Sequence, residues 1–270
     1  MKINAITNNN IKSFNFCAGK TKLYTDFDGT YFPSYEYLIF CNAPNDVAMI
    51  RKMYKSFQDF LNIAKEQFEI IISTGRDMFD FAKVLDIFKK ANVDIPEIHG
   101  YVFEDGFEEM KNYNMENFSI NPNDFPNKLY QPKEQVRKIV ENNSNDLVIV
   151  AGNEWNDVDM LNPLNYIDIF NAEYNRCLTM EELLDRKEVI DALQKLPLIS
   201  IVASDSRNIS QLLKLKELLD KKGIHKIFHA KKPEKELLQQ IKKGMQVYCM
   251  ENSEYKNNLG LDLKKEIMNN

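Results

Sequence analysis

The stretch LVIVAGNEWNDVDML spans residues 147–161. Leu147-Val-Ile-Val150 is short, continuous and apolar, and reads as a strand buried on both faces. The residues after it are of another kind. Asn153, Glu154, Trp155, Asn156 and Asp157 bring two acids, two amides and the chain's only tryptophan to the exit of a buried strand. An open α/β sheet binds its ligands at such exits, just beyond the carboxyl ends of the strands. The fold therefore turns on whether other strands run beside this one and end in similar chemistry.

Upstream, Lys22 to Asp28 (KLYTDFD) reads as a strand ending in acids, and FEIIIS (68–73) as a second apolar strand. Between them, residues 45–66 place Val47, Ile50, Met53, Tyr54, Phe57, Phe60, Leu61 and Ala64 on one helical face. Asp77 to Ala91 is again amphipathic, and a strand is expected near 98–103. The passage 106–127 is irregular and rich in asparagine, and a helix is expected over 133–142. Downstream, YIDIF (166–170) is expected as a strand, and Thr179 with Glu182 forms a capping box at a helix start. LISIVAS (198–204) is a further buried strand, followed by a helix from near Asn208 to Gly223. Lys226 to Ala230 reads as a last strand, and Pro233 opens a last helix. Strand and helix alternate, which predicts an α/β protein: a three-layer, Rossmann-like core with a parallel sheet covered on both faces. The chain has no internal repeat.

The 270 residues suffice for one large α/β domain or a domain with an extension. Hydrophobic residues make up 44% and charged ones 28%, enough apolar material for a core without disulfide or metal staples. A net charge of −5 offers no attraction to nucleic acid or to an anionic membrane surface. The apolar runs are strand-sized, well short of the roughly 20 residues of a membrane span. The opening MKINAITNNNIKSFNF holds no continuous apolar stretch of signal-peptide type. Cys17, Cys41, Cys177 and Cys249 are scattered without CxxC pairing, and read as reduced thiols of a cytoplasmic protein. His99, His225 and His229 stand far from metal-ligand spacing with any cysteine.

Three strand ends carry the chemistry. The first runs Asp26-Phe-Asp-Gly-Thr30, the second Ser73-Thr-Gly-Arg76, and the third Gly152-Asn-Glu-Trp-Asn-Asp157. Asp26 and Asp28 are two residues apart, so in a strand their carboxylates face the same way and repel each other. A hard divalent cation with oxygen ligands, best Mg²⁺, relieves that repulsion. One carboxylate can then attack phosphorus while the other moves a proton. Gly29 allows the sharp turn where the strand ends. Each stretch has a plainer reading: DFDGT as a turn, Thr74-Gly-Arg76 as a hydroxyl-capped helix start. Their succession in order, each after an apolar strand, favours the site.

DFDGT, STGR and GNEWND together resemble the motifs of the haloacid-dehalogenase superfamily of phosphohydrolases, nearest the Cof-type and sucrose-phosphatase-like branch. The resemblance covers residues 20–172. It implies that Asp26 is the nucleophile that becomes an aspartyl-phosphate, and that Asp28 is the general acid and base, its backbone carbonyl also ligating Mg²⁺. It implies that the Thr74 hydroxyl binds the transferring phosphoryl group, with Gly29, Thr30, Gly75 and Arg76 around the substrate. A lysine upstream of the last acidic loop should hold nucleophile and phosphate together; Lys133 is the candidate, with Lys128 nearby. Asn153 and Asp157 complete the metal set with Asp26 and Asp28. The same core serves phosphomutases and phosphotransferases.

Two departures from the pattern matter. The family's Gly-Asp is here Gly152-Asn153, an amide that can ligate Mg²⁺ but brings no charge. The stretch between residue 103 and Lys133 is also too short for the branch's usual cap. The expected organisation is an irregular arm (1–19), a phosphatase core (20–175), and a C-terminal αβ segment (176–270) packing on the core or acting as a lid. An open site would suit a bulky phosphorylated substrate as well as a phosphorylated small molecule; oligomeric state is left open. Asn153 and the missing cap also suit a weakened pseudo-phosphatase that binds a phosphorylated ligand or a partner protein. Trp155 reads as a packing or lid residue rather than a substrate contact, and a solvent-facing ring there would be informative. Ser204, Asp205 and Ser206 read as the cap of the next helix, or as a contribution to a ligand site.

Overall fold

The computed structural model describes residues 21–30, 47–49, 51–52, 68–77, 90–92, 97–101, 128–129, 136, 138, 140, 147–167, 178–204 and 209–252. Within these, β1 (Thr21–Thr25), β2 (Phe68–Asp77), β3 (Glu97–Tyr101), β4 (Lys128–Leu129), β5 (Val148–Gly152), β6 (Leu198–Val202) and β7 (Ile227–His229) form one sheet. Its order is β4-β3-β2-β1-β5-β6-β7. All six neighbouring pairs are parallel. The α/β class with a parallel sheet is thus the one expected from the alternation of strand and helix.

Parallel strands covered on both faces cannot alternate apolar with polar, and β5 and β6 are buried at every residue. On one face, Val148, Val150, Leu198 and Val202 join a single core with residues of four helical segments. These are α1 (Val158–Leu161), α2 (Met180–Leu184), α3 (Lys187–Lys195) and α4 (Ser210–Lys221). Leu212, Leu215 and Leu219 supply the buried stripe of α4 at helical spacing. The opposite face receives α5 (Pro233–Asn252). It lies so close at Gly244 that a Cβ there would stand 2.7 Å from Ile199 Cγ2 and 3.1 Å from Phe228 Cε2. The segment beyond residue 175 therefore continues the sheet through β6 and β7 and shares its core.

Local chemistry sets the helix ends. The Thr179 hydroxyl accepts from the Glu182 N–H at 3.2 Å, and the Thr179 N–H donates to Glu182 Oε2 at 2.8 Å, which closes the expected capping box. At the end of α4, Gly223 takes φ +73°, the Gly223 N–H reaches Asp220 O at 3.0 Å, and the Ile224 N–H reaches Leu219 O at 3.0 Å. That pair of bonds is a Schellman closure, which needs the left-handed conformation glycine adopts without strain.

Three expectations need correction. β1 ends at Thr25, so Asp26 and Asp28 lie in the turn beyond the strand. β2 runs through Thr74, Gly75 and Arg76 to Asp77, with a register shift against β3 between Ser73 and Asp77. Thr74-Gly-Arg76 is therefore strand, and of the amphipathic stretch 77–91 residues 78–89 lie outside the described set, Lys90 being helical. Tyr166 is not in a strand: it closes a 3-10 turn, Pro163–Tyr166, whose first N–H groups are met by the Asn162 side chain accepting from Leu164 N. Its hydroxyl donates to Met160 O at 2.6 Å, and residues 168–170 lie outside the described set. So do the arm 1–19, the passage 106–127 and most of the helix expected at 45–66, of which 47–49 and 51–52 are helical.

At the other end of the sheet, Lys226 is buried just before β7. Its ammonium donates to Leu196 O at 2.7 Å and Gln194 O at 3.4 Å, and stands 5.3 Å from the centre of the Tyr248 ring. A cation there meets the carbonyl end of α3. Burial lowers its pKa from 10.5 to about 8, against the raising effect of the Glu251 carboxylate. Between those values the unfolded chain keeps a proton that the folded chain releases, so stability rises with pH across that window. Relative to Lys226→Met, the wild type should gain on the order of 2–4 kcal/mol from pH 7.5 to 10.5 in urea unfolding. A difference that does not change with pH would contradict this burial.

Candidate active site at the carboxyl ends of β1, β2 and β5

The order of strands sets where a ligand can sit. From β1 the chain builds outward on one side through β2, β3 and β4, then crosses to the other side of β1 and continues through β5, β6 and β7. The crevice at such a reversal, beyond the carboxyl ends of the two strands, is where open α/β sheets bind ligands. Here the two strands are β1 and β5, and the residues beyond them are 26–30 and 153–157.

The two turns are held against each other by the backbone. The Asp26 N–H donates to Ala151 O at 2.7 Å, which carries the β1–β5 ladder one residue past the strand. Asp26 is only 6% exposed, and its neighbour Phe27 is buried in the core. Thr25 Oγ1 donates to Asp26 O at 2.9 Å and pins the same peptide. Gly29 has φ +78°, and a Cβ on it would fall 2.4 Å from Asn153 Nδ2. Glycine is favoured at position 29 for its conformation, and its bare Cα also leaves room for the Asn153 amide.

The turn after β5 is closed by Asp157. Its Oδ2 accepts from the Asn153 N–H at 2.8 Å and from the Glu154 N–H at 3.0 Å. The Asp157 N–H in turn reaches Glu154 O at 3.1 Å, and Trp155–Asp157 forms one 3-10 turn leading into α1. The carboxylate folds back so far that a Cβ on Gly152 would stand 2.6 Å from Asp157 Cβ. The spacing Gly152-Asn153…Asp157 is thus a clasp: glycine makes room, and the acid ties down the two amides after it.

Within this mouth, the buried oxygens that find no hydrogen-bond partner among the described residues include Thr30 Oγ1, Ser73 Oγ and Asn153 Oδ1. A buried polar atom left unmet costs about 1–3 kcal/mol. Thr30 and Asn153 lie in the turns beyond β1 and β5, and Ser73, inside β2, follows the pairing of Ile72 with Thr25 and so stands level with Asp26. Atoms left unmet together there are free to meet a ligand. One comparable hydroxyl, Ser200 Oγ on β6, pairs with Val150 and so lies away from the mouth. Thr74 is buried beside Ser73 on β2.

The structure thus brings Asp26, Asp28, Gly29, Thr30, Thr74, Asn153 and Asp157 to one edge of the sheet. The backbones of Gly75 and Arg76 continue β2 there, and Lys133 lies outside the described residues. The sequence reading passed over Ser73, whose signal was a hydroxyl at the last position of an apolar run. Trp155, on the same clasped turn, is 69% exposed and does not pack on the core. The oxygen donors suit a hard cation, with Asn153 Oδ1 already buried and unmet. Among the described residues, no group of three or more acids, histidines or cysteines is arranged to hold a metal. No helix among them is long and apolar enough to cross a membrane.

Comparison of the chain with family models, with curated proteins and with solved structures finds no match. The reading of this mouth rests on its own residues.

Removing the clasp should loosen the mouth without touching the sheet. In Asp157→Ala, the Asn153 and Glu154 N–H groups lose their acceptor, and stability should fall by about 1–3 kcal/mol. Amide exchange at those two groups should quicken, while exchange in β5 stays slow. Unchanged protection at residues 153 and 154 would rule out the clasp.

Proposed function

We propose that the chain is a Mg²⁺-dependent phosphomonoester hydrolase that works through an aspartyl-phosphate on Asp26. The observation that supports this most is the set of unmet buried oxygens Thr30 Oγ1, Ser73 Oγ and Asn153 Oδ1. Two lie in the turns beyond β1 and β5 and the third on β2 level with the buried Asp26, at the reversal point of the sheet. A phosphoryl group and the water around it are rich in the hydrogen-bonding partners these atoms lack.

In this reading, the Asp26 carboxylate attacks phosphorus as the bond to the leaving oxygen breaks. Asp28 gives that oxygen its proton. Asp28 then takes a proton from the water that attacks the acyl-phosphate, which frees inorganic phosphate and restores Asp26. The Thr74 hydroxyl holds a transferring oxygen, and Gly29, Thr30, Gly75 and Arg76 surround the group. Lys133 offsets its charge. Mg²⁺, held by Asp26, the Asp28 carbonyl, Asn153 and Asp157, would neutralise the phosphoryl oxygens as the bond changes hands. Asp157 also serves the turn through Oδ2, so it fixes Asn153 as well as adding charge.

Asn153 favours one second reading, a site that binds phosphorylated ligands with little or no turnover. An amide lowers the charge at the metal position while leaving the cradle intact. Two aspartates spaced for nucleophile and proton carrier speak for turnover.

The test is hydrolysis of an aryl phosphate with and without Mg²⁺ by wild type, Asp26→Asn and Asn153→Asp. Metal-dependent hydrolysis is expected, falling at least ~10³-fold in Asp26→Asn. In Asn153→Asp, half-maximal activity should need on the order of tenfold less Mg²⁺. Activity that survives in Asp26→Asn would overturn the mechanism. Activity found only in Asn153→Asp would favour the binding reading.

A further inference from the structure

Among the described residues, Trp155 is the one large hydrophobic side chain left exposed, at 69% of its surface. It is also the only tryptophan in the chain. Its place is unusual for an idle residue. It stands two residues beyond Asn153, so its Cα lies within about 7.6 Å of the Asn153 Cα. The turn that carries it is tied down by Asp157 on both Asn153 and Glu154. An indole on a fixed turn gives up little conformational freedom when something stacks on it.

The surroundings argue against a protein partner. Glu154 and Asn156, which flank Trp155 in sequence, are exposed and polar. A stable protein interface buries about 800 Å² per partner around a continuous apolar centre. One ring supplies at most about 250 Å². Among the described residues, a single exposed ring on the turn that also carries the buried, unmet Asn153 Oδ1 fits a small molecule with a polar head and a flat apolar remainder.

We infer that Trp155 is a specificity-determining platform at the mouth, and that the preferred substrate class is phosphomonoesters whose leaving group carries a flat aromatic ring. This rests on the proposed phosphoryl site: the head group goes to the cradle between β1, β2 and β5, and the ring stacks on the indole.

Phosphonates test this without turnover, because their carbon–phosphorus bond is not cleaved by this chemistry. Phenylphosphonate, methylphosphonate and inorganic phosphate are titrated into the full chain with Mg²⁺ by calorimetry. Emission from the single tryptophan is followed in parallel. Phenylphosphonate should bind at least about fivefold more tightly than methylphosphonate, the smallest gain of one stacking contact. Only phenylphosphonate should alter the emission. The ratio should fall towards one in Trp155→Ala and persist in Trp155→Phe. Equal binding of the two phosphonates would overturn the platform while leaving the phosphoryl site standing, as would a preference that survives in Trp155→Ala. If none of the three ligands binds, the phosphoryl site and the platform both fail.

Discussion

The reversal of the chain across the sheet between β1 and β5 is the constraint on which the rest depends. A parallel sheet needs a crossover for every strand, and the direction in which crossovers accumulate changes only once here. That change leaves β1 flanked by β2 and β5, with their carboxyl ends side by side. The hydrogen bond from Asp26 N–H to Ala151 O extends the ladder past the end of β1, so the first residue of the turn is placed by sheet geometry. Sites built on regular elements hold their groups more narrowly than sites on free loops. The proposed nucleophile thus has the most constrained backbone position in the mouth.

Around it, local stability is given up where it is not needed for folding. Thr30, Ser73 and Asn153 each bury an oxygen without a partner among the described residues. Apolar residues at these places would pack without that cost. Polar groups retained in a core at a strand end, beside a buried carboxylate, are the pattern of a binding site. Asp157 follows the opposite logic. Its carboxylate is buried, yet Oδ2 meets two backbone N–H groups and holds the turn. One acid in the motif thus has a structural role legible in the fold, and the amide beside it has an oxygen directed to no protein group described.

Much of the frame was legible in the sequence because local chemistry settles it. The continuous apolar runs at 68–73, 147–150 and 198–204 are strands because both faces of a parallel sheet are covered. Thr179, Gly223 and Pro233 marked helix ends through bonds and dihedral limits that involve only a few neighbouring residues. The misses depended on distant contacts. Thr74 to Asp77 is strand because β3 lies beside it, though Thr74-Gly-Arg76 also reads as a hydroxyl-capped helix start. Tyr166 has the composition of a strand residue but is drawn into a turn by Asn162 and Pro163 before it and by Met160 O. That Ser73 would be buried and unmet was not readable, since its surroundings come from three strands. The three motifs were read as converging, and β1, β2 and β5 do stand side by side. The clasp that makes Gly152 and Asp157 one unit emerged only from coordinates.

The central claim is that Asp26 and Asn153 face one phosphoryl and metal position. A crystal structure of the chain with Mg²⁺ and beryllofluoride, which mimics an acyl-phosphate, tests it most directly. The account predicts beryllium bonded to an Asp26 carboxylate oxygen, fluorines against Thr74 and Ser73, and Mg²⁺ on Asn153 Oδ1. A mouth that stays empty at saturating ligand, with Asn153 Oδ1 turned to a protein donor, would contradict it.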